Sequence, residues 1–597
     1  MLRPIAPRSG STKRRAKNAA SASVICSQFE QYILTHQLTP AGPIPSVFDP
    51  DGVYPYESYC ETSRRPVLKR YRFVNLRNAH ISVTICPDLG GKVTSMVHVP
   101  SSKEVLYKPA VIRHTRILPR SYFVAGGIEV SFPISHSPSQ NEAVDCKIDS
   151  GQDRLYVTCG ERELHFGMRW SVEYSLGNDD HFLTQRTVFH NPGTQAYPWM
   201  SWSNAAVPSA ADTKFHFPKG EVLSHSSKMQ TLDWERQGPT CESDIEEMTG
   251  LFWKTSDVNA FGVYTPSLGC GLYHVADKTS APGIKLWSYG NALDKEWSML
   301  STERRQPYIE IQGGPIEDQS IKLMLEPNEV RSHIEFWLPT DAALDIRALR
   351  TPAVELRSLR GVPLFSWTRT RCVKPWLDLI RSFRKGAMPP RPPAIHDNLW
   401  APSGIEDLSR AFAWAIKNAS SEHAQLWRFY RGTWLAGRGD DEAAIKSLSS
   451  CRLGIAKIVL ARLLHVRGDL QAARLAYAEV ADEWLLLHPQ VVAERDRLLR
   501  KCGTDTLTER DQWLSQVDAL EDEAIVERRV QLLIDKNELH QAKELLLSID
   551  FQKVHQTYHR TELWRQLSEK LGFPLLPIPD QLGEDRLARF GAYREYE

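Results

Sequence analysis

One glutamate, Glu310, stands in the middle of a segment whose side chains alternate between polar and apolar. In a strand, Tyr308, Glu310 and Gln312 would share one face, while Ile309 and Ile311 would pack inward on the other. A carboxylate in mid-strand needs a partner, because burial of an unpaired charge is costly. The pattern therefore indicates either an ion pair with an arginine of a neighbouring strand or a site that presents a carboxylate and an amide.

A second carboxylate, Glu129, follows two glycines and an isoleucine far upstream, and His136 lies shortly after it. Histidine gives and takes protons near neutral pH because its ordinary pKa is about 6.5. A histidine and two carboxylates can therefore act together as general acid and base. A purely structural interpretation stays open for both residues. His136 would then be a hydrogen-bonded loop residue, and Glu129 would pair with one of three cations: Lys92, Arg113 or Arg120.

The composition excludes several classes of function. Lys and Arg number 73 and Asp and Glu 72, so a net charge of +1 gives no field that would attract nucleic acid or an anionic membrane. No apolar run is long enough to span a bilayer. No phosphate loop, dinucleotide fingerprint or metal-ligand spacing occurs, so we expect neither a metal nor a cofactor. The 17 tryptophans could supply aromatic plates for a sugar, but tryptophan is an ordinary core residue as well.

The ten cysteines include no Cys-x-x-Cys pair, which favours unpaired thiols in a reducing compartment and predicts a cytoplasmic protein. The residues before Glu30 are basic and rich in Ser and Ala, as in a mitochondrial presequence. Prolines and a glycine interrupt any helix there, and the basic cluster 13–15 also suits a nuclear signal. We therefore predict a disordered basic tail.

The chain of 597 residues is too long for one core, and its patterning changes along its length. Short alternating strands separated by turn signals fill residues 71–340, which predicts an antiparallel β-sandwich of two large sheets. Residues 1–70 suit the basic tail and an extended lead-in. A proline-rich stretch marks residues 341–403 as a linker or wrapping segment, and residues 404–597 carry the apolar periodicity of helices.

A recurring phrase in the helical part combines a turn residue, a helix N-cap and a small residue in the next helix. It begins at Gly439, at Gly468 and at Lys536. The spacing from 468 to 536 is close to two tetratricopeptide periods of about 34 residues. The helices therefore resemble tetratricopeptide repeats, which would dock a protein partner, although an unrelated helical bundle can use the same turn chemistry.

Five phrases of the chain resemble, in combination and order, the DUF5107 family, a domain of unknown function that is often followed by tetratricopeptide repeats. The resemblance covers about residues 71–339. The phrases are residues 87–92 (PDLGGK), 126–129 (GGIE) with His136, 199–208 (WMSWSNAAVP), 282–290 (PGIKLWSYG) and the strand that contains Glu310. The family is grouped with the galactose mutarotase-like β-supersandwich, so the resemblance implies that fold, with a tetratricopeptide-like helical array behind it.

The resemblance also implies roles for individual residues. Residues 309–312 (IEIQ) are similar to the strand that presents the catalytic base in aldose 1-epimerases, so Glu310 would take the proton from an anomeric hydroxyl. His136 or Glu129 would be the acid. Epimerases have a second histidine where this chain has SWSN at 201–204, a departure that leaves glycoside hydrolysis open beside epimerisation. The sugar would meet five further residues: Trp202 and Trp287 as stacking plates, and Asn204, Lys285 and Gln312 as hydrogen-bonding groups.

The predicted function is a carbohydrate-binding protein that acts at an anomeric centre by acid–base chemistry, as an epimerase or as a glycoside hydrolase. The alternative is a sugar-binding protein without catalysis, because a fold does not fix a function. The expected partners are a carbohydrate and, through the helical repeats, a second protein, with no nucleic acid and no membrane.

Overall fold

A computed structural model of the chain describes residues 23–48, 52–63, 65–116, 122–225, 229–290, 306–517, 522–549, 551 and 554–572. Over these residues, antiparallel strands come first and helices follow, so the predicted order of an antiparallel β-supersandwich and a helical array is confirmed. The basic segment 1–22, on which the predictions of a disordered tail and of targeting rest, lies outside the described residues.

The strands form two large sheets and several small ones. In chain order they are β1 (Ile25–Thr35), β2 (Leu38–Pro40), β3 (Tyr59–Thr62), β4 (Val67–Arg77), β5 (Ile81–Cys86), β6 (Lys92–His98), β7 (Lys103–Glu104), β8 (His114–Arg116), β9 (Tyr122–Val124), β10 (Ile128–Val130), β11 (Asp145–Ser150), β12 (Arg154–Arg162), β13 (Arg169–Gly177), β14 (Leu183–His190), β15 (Tyr197–Trp199), β16 (Ser203–Pro208), β17 (Lys214–His216), β18 (Glu221–His225), β19 (Met229–Asp233), β20 (Thr249–Trp253), β21 (Ala260–Thr265), β22 (Cys270–Ala276), β23 (Lys285–Ser288), β24 (Tyr308–Gly313), β25 (Leu323–Leu325) and β26 (Val330–Thr340).

The first sheet has the order β1-β4-β5-β6-β10-β16-β24-β23-β20-β18-β19, with β7 added beside β6. The second sheet has the order β11-β12-β13-β14-β26-β22-β21-β17. Three pairs, β2-β3, β8-β9 and β15-β25, stand apart from both. The two large sheets pack face to face, and apolar residues of both, such as Ile309 from the first and Trp337 from the second, share one core.

Strand β24 shows why the sequence forms the first sheet in this register. Ile309 and Ile311 are fully buried in the core, opposite Val207 and Ala205 of β16. Burial of each isoleucine contributes roughly 1.5–3 kcal/mol, and a slip of one residue would turn both out of the core. The alternation therefore places Glu310 and its polar neighbours on the opposite face of the sheet.

Strand β1 lies ahead of residue 71, where the sequence predicted an extended lead-in. It pairs with β4 over its whole length, from Ile25 opposite Arg77 to Thr35 opposite Val67. Phe29 stacks on Phe73 with ring centres 5.3 Å apart. Most of the side chains of β1 remain exposed because it is the edge strand, so its sequence lacks the apolar alternation that marks the buried strands.

The helices after the sandwich are Thr370–Lys385, Leu408–Asn418, Ser421–Ala436, Asp441–Ser449, Gly454–Val466, Leu470–Ala478, Asp482–Leu487, Pro489–Cys502, Leu507–Ser515, Glu523–Asp535, Leu539–Leu547 and Val554–Lys570. The recurring phrase lies where successive helices join. Gly439 and Gly468 have φ of 77° and 83°, and the aspartate after each accepts a hydrogen bond from the first turn of the next helix. None of the described helices is long and apolar enough to cross a membrane.

The segment predicted as a linker or wrapping segment, 341–403, contains the first of these helices. Trp376 and Leu379 of Thr370–Lys385 are fully buried in the helical core, and the Trp376 ring lies 5.0 Å from that of Tyr430. The Tyr430 hydroxyl also donates a hydrogen bond to the carbonyl oxygen of Pro393, at 3.0 Å. This part of the predicted linker therefore contributes to the helical core.

Candidate functional site

Polar side chains form a row across the outer face of the first sheet, which is turned away from the second sheet. Glu129 of β10 lies opposite Asn204 of β16, and Asn204 lies opposite Gln312 of β24. Gln312 in turn lies opposite Lys285 of β23. Because strands are about 4.8 Å apart, this row brings four predicted site residues onto a patch roughly 14 Å wide. Their neighbours along the strands are buried between the sheets: Ile128, Ala205, Ile311 and Leu286.

Glu310 stands in the adjacent row of the same face, and three donors hold its carboxylate. Its Oε2 accepts hydrogen bonds from Asn204 Nδ2 at 2.9 Å and from Gln312 Nε2 at 3.2 Å. The hydroxyl of Tyr289 lies 3.4 Å from its Oε1. A carboxylate has about four acceptor positions, so Glu310 is fixed in orientation and can still accept a proton from a ligand.

The surroundings of Glu310 make its carboxylate a stronger base. Burial raises the pKa of this carboxyl above its ordinary value, and the nearby charge of Glu129 raises it further. His136, Asn204 and Lys92 offset only part of that effect. A carboxylate with a raised pKa is a stronger base, which suits proton abstraction near neutral pH.

Glu129 is buried beside two cationic side chains. His136 Nδ1 lies 2.7 Å from Glu129 Oε1, and Lys92 Nζ lies 3.6 Å from Oε2. The Lys92 ammonium also donates to the carbonyl oxygen of Val124. Lys92 was one of the predicted structural partners of Glu129, whereas Arg120 lies outside the described residues. Glu129 thus makes the ion pair that was predicted as its structural role and also orients the histidine.

The pKa values of Glu129 and His136 are shifted in opposite directions. Burial alone would raise the pKa of Glu129 and lower that of His136, but their mutual attraction reverses both shifts. The pKa of Glu129 is lowered with further help from Lys92, and that of His136 is raised with further help from Glu310. The pair therefore favours an imidazolium beside a carboxylate, and an imidazolium is a proton donor.

Aromatic rings surround these charged groups. The His136 ring lies 5.3 Å from the ring of Phe123 and 5.6 Å from that of Trp202, which meets it edge-on. Trp287 lies opposite Glu310 in the sheet register and packs against the cluster that contains Tyr289. Both tryptophans predicted as stacking plates therefore lie beside the charged groups of this face, Trp202 near His136 and Trp287 near Glu310.

A small cavity of about 10 Å³, roughly the room that one water molecule needs, lies among these groups. It is lined by Lys92, Phe123, Val124, Gly126, Gly127, Glu129, Asn204, Ala206 and Glu310. The two carboxylates of the site thus face one space, next to the double glycine of the GGIE phrase. Convergent polar groups with shifted pKa values are typical of functional sites.

Several buried polar atoms on this face have no hydrogen-bond partner among the described residues. They are Asn204 Oδ1, Gln312 Oε1, Trp202 Nε1 and Lys285 Nζ. Buried polar atoms are normally paired, because an unpaired one costs about 1–3 kcal/mol. Four such atoms in the predicted substrate-binding residues are available to hydrogen-bond water or a ligand.

A buried network between the sheets supports the site from behind. Glu335 of β26 lies 3.0 Å from His274 Nε2 and 3.1 Å from His333 Nε2, and it accepts a bond from Ser203 Oγ at 2.6 Å. Gln185 donates to the same carboxylate at 2.9 Å. Ser203 directly precedes Asn204, so this network fixes the strand that carries Asn204 beside Glu310.

The sequence-based prediction missed three site residues. Lys92 appeared only as an alternative ion-pair partner, and Tyr289 and Phe123 were not predicted at all. Tyr289 does lie in the matched phrase 282–290, so a tyrosine next to predicted binding residues was a usable signal. Phe123 precedes the double glycine in a stretch with no distinguishing pattern.

Comparison with known proteins agrees with the two-part organisation. A family model described as a domain of unknown function, DUF5107, matches residues 48–340. A second model, described only as a C-terminal domain, matches residues 376–567. A crystal structure of a TPR-domain containing protein from Parabacteroides distasonis is 59% identical and covers 94% of this chain and 98% of its own, with a TM-score of 0.89.

Two smaller proteins are similar over less of the chain. A galactose mutarotase-like protein from Clostridium acetobutylicum is 14% identical and covers 45% of this chain and 95% of its own, with a TM-score of 0.34. A galactose mutarotase-like protein from Lactobacillus casei is 10% identical and covers 45% of this chain and 99% of its own, with a TM-score of 0.33.

Proposed function

We propose that this chain, which belongs to the DUF5107 family, binds a carbohydrate and catalyses proton transfer at its anomeric centre. One observation carries the proposal: Glu310 and the Glu129–His136 pair converge on one face, with pKa values shifted in the directions that a base and an acid need. Aromatic rings and amides beside them suit the faces and hydroxyls of a sugar.

In the proposed reaction, Glu310 is the general base. It takes the proton from the anomeric hydroxyl, and the C1–O bond to that oxygen gains double-bond character. The bond between C1 and the ring oxygen breaks, and the imidazolium of His136 gives its proton to that oxygen. Rotation of the aldehyde and the reverse steps then give the other anomer. Glu129 is the positioning residue, because it holds the imidazole and stabilises its charge.

The test replaces Glu310 by glutamine, which keeps the shape of the side chain and removes the base. The change Glu310→Gln should reduce turnover by about a hundredfold or more while sugar affinity stays within about tenfold. Anomer exchange followed by NMR, release from aryl glycosides, and calorimetric titration of a panel of free sugars measure the two effects separately.

A matched control is Glu104→Gln. Glu104 is another glutamate whose pKa is raised by burial, but it bonds Ser95 and the backbone of Met96 away from the cavity. Full activity in Glu310→Gln would exclude Glu310 as the base. A wild-type protein that binds sugars and turns over none of them would support the alternative of a binding protein without catalysis.

A further inference from the structure

Lys285 is a buried cation on the same face as Glu310. Its side chain is 1% exposed, and its Nζ has no hydrogen-bond partner among the described residues. The ammonium lies 4.9 Å from the centre of the Trp202 ring and 5.9 Å from that of Phe252. Contact with aromatic faces stabilises a cation by about 0.5–2 kcal/mol, which is far less than the cost of removing an ammonium from water.

The acidic groups nearest to Lys285 have other partners. Asp318 accepts a bond from Lys254 Nζ at 2.5 Å and two from Ser320. Glu335 is shared between two histidines on the far side of the sheet. Burial therefore dominates, and it lowers the pKa of Lys285 to about 7 in spite of the attraction of those two carboxylates.

We infer that Lys285 binds a carboxylate of the carbohydrate, so that the substrate class is a sugar acid, a uronic acid or a saccharide that contains one. The inference rests on the proposed function for the position of the anomeric centre, and it adds the group that the enzyme recognises at the other end of the sugar ring. An incoming carboxylate would give the buried ammonium the partner that the described residues do not supply.

The positions of the residues suit one sugar unit. Lys285 lies opposite Gln312, and Glu310 is the next residue of β24 on that face, opposite Trp287. Diagonal neighbours of this kind are roughly 7–8 Å apart, which one pyranose ring with its substituents can span. Between them, Gln312 Oε1 and Asn204 Oδ1 accept no hydrogen bond from the described part of the chain, and sugar hydroxyls are donors.

The chemistry of this subsite favours a carboxylate over a phosphate. Phosphate sites combine several cationic or backbone donors, whereas the described part of this face offers Lys285 as its one cation without an ionic partner. A single ammonium matches the single charge of a carboxylate. A neutral hydroxymethyl group at the same place would leave the ammonium buried without a counter-charge.

The experiment is calorimetric titration of the full chain with D-glucuronate, D-galacturonate and D-mannuronate beside D-glucose, D-galactose, D-mannose and D-glucose 6-phosphate. We expect at least one uronate to bind about tenfold or more tightly than its neutral counterpart. Lys285→Gln should weaken that binding by about 10- to 100-fold and change the affinity for the neutral sugar much less. Near pH 8 the protein should take up protons when a uronate binds, because the bound carboxylate stabilises the ammonium form of Lys285. The measured binding enthalpy should then depend on the ionisation enthalpy of the buffer.

The control is Lys278→Gln, which removes an exposed lysine that bonds the carbonyl oxygen of Ser256. Equal affinity for uronates and neutral sugars, no uronate binding, tighter binding of the phosphate, or an unaffected Lys285→Gln variant would each overturn the inference. An unchanged circular dichroism spectrum would verify that the Lys285→Gln variant is folded. Lys285→Met provides a second neutral replacement.

The same measurements separate this inference from the proposed catalysis. Tight, Lys285-dependent uronate binding without any turnover would support the subsite and remove the catalytic proposal. Turnover of neutral sugars with no preference for uronates would support the catalytic proposal and remove the subsite.

Discussion

The two carboxylates of the cavity differ in the charges that surround them. Glu129 lies against His136 and Lys92, whereas Glu310 is held by neutral donors from Asn204, Gln312 and Tyr289. The first environment lowers the pKa of its carboxyl, and the second raises it. Two chemically identical groups are thereby assigned different tasks, and the histidine between them acquires the proton that the proposed mechanism needs.

The charge of Glu129 can be tested with Glu129→Gln, which keeps the side-chain volume. We expect the pKa of His136, measured by NMR titration of its ring, to fall, because the attraction that raises it is removed. Glu129→Gln should also weaken turnover and change its pH profile, whereas sugar affinity should change little if Glu129 acts only through His136.

The contribution of the Glu129–His136 pair to the stability of the fold depends on pH. The lowered pKa of Glu129 contributes stability above its ordinary value of 4.5, which is lost as the pH falls through its folded pKa. The raised pKa of His136 contributes stability below its ordinary value of 6.5, which is lost as the pH rises through its folded pKa. The difference in unfolding free energy between wild type and Glu129→Gln should therefore be largest near pH 5–6.5, from those two ordinary values, and shrink above it. A difference that grows steadily with pH would contradict the ion pair.

At the scale of elements, the sequence predicted the strands whose inner face is apolar and buried in the core. β24 could be assigned with its orientation, because a one-residue slip would expose Ile309 and Ile311. The outward position of Glu310 and Gln312 followed from the same alternation. The class of the β part and of the helical part was predictable for the same reason, since both depend on local periodicity.

The arrangement between elements could not be predicted from one sequence. That Glu129 and Glu310 meet depends on β16 lying between β10 and β24, and β16 comes about seventy-five residues after the first and a hundred before the second. The pairing of Lys92 with Glu129 is likewise a long-range consequence of strand order, and so is the lack of an ionic partner for Lys285 among the described residues. The sequence analysis missed edge strand β1 because most of its side chains are exposed, so the strand shows no apolar alternation.

The double glycine before Glu129 allows β10 to approach β6. Gly127 has φ of 71°, and a Cβ there would come within 2.1 Å of the carbonyl oxygen of Val93. Gly127→Ala should therefore cost roughly 3 kcal/mol or more, from the left-handed backbone and the clash together. Displacement of β10 should also disturb the Glu129–His136 pair, so sugar affinity and turnover should fall with stability.

Gly269→Ala is the matched control, because Gly269 also has positive φ, 62°, but its nearest neighbour would be a flexible lysine side chain at 3.8 Å. It should cost only the backbone strain, roughly 1–2 kcal/mol. Denaturant unfolding of both variants measures the difference. Equal losses would show that close approach of the two strands is not what requires Gly127.

At the scale of the whole molecule, the segment that joins the two parts crosses the outer face of the second sheet. Leu344 donates its backbone N–H to the Tyr273 hydroxyl at 2.9 Å, and Thr368 donates to Asp145 at 2.7 Å near the other end of the segment. Between them, Arg357 bonds both Glu173 of β13 and Asp149 of β11. The connection thus packs on the sheet and leads into the helical array along a fixed path.

Arg357 is the residue of this segment with the most ionic contacts to the sheet, and Arg357→Ala tests its contribution. Glu173 is 1% exposed and pairs with both Arg357 and Arg186, so it would keep one cation after the change. We therefore expect a loss of about 1–3 kcal/mol of unfolding free energy, less than for a buried charge left alone. Limited proteolysis should also cut the segment around residue 357 faster. Arg360→Ala, at an exposed neighbour, should change stability by less than about 0.5 kcal/mol. If Arg357→Ala is as stable and as protease-resistant as Arg360→Ala, the segment is held by its apolar and backbone contacts alone.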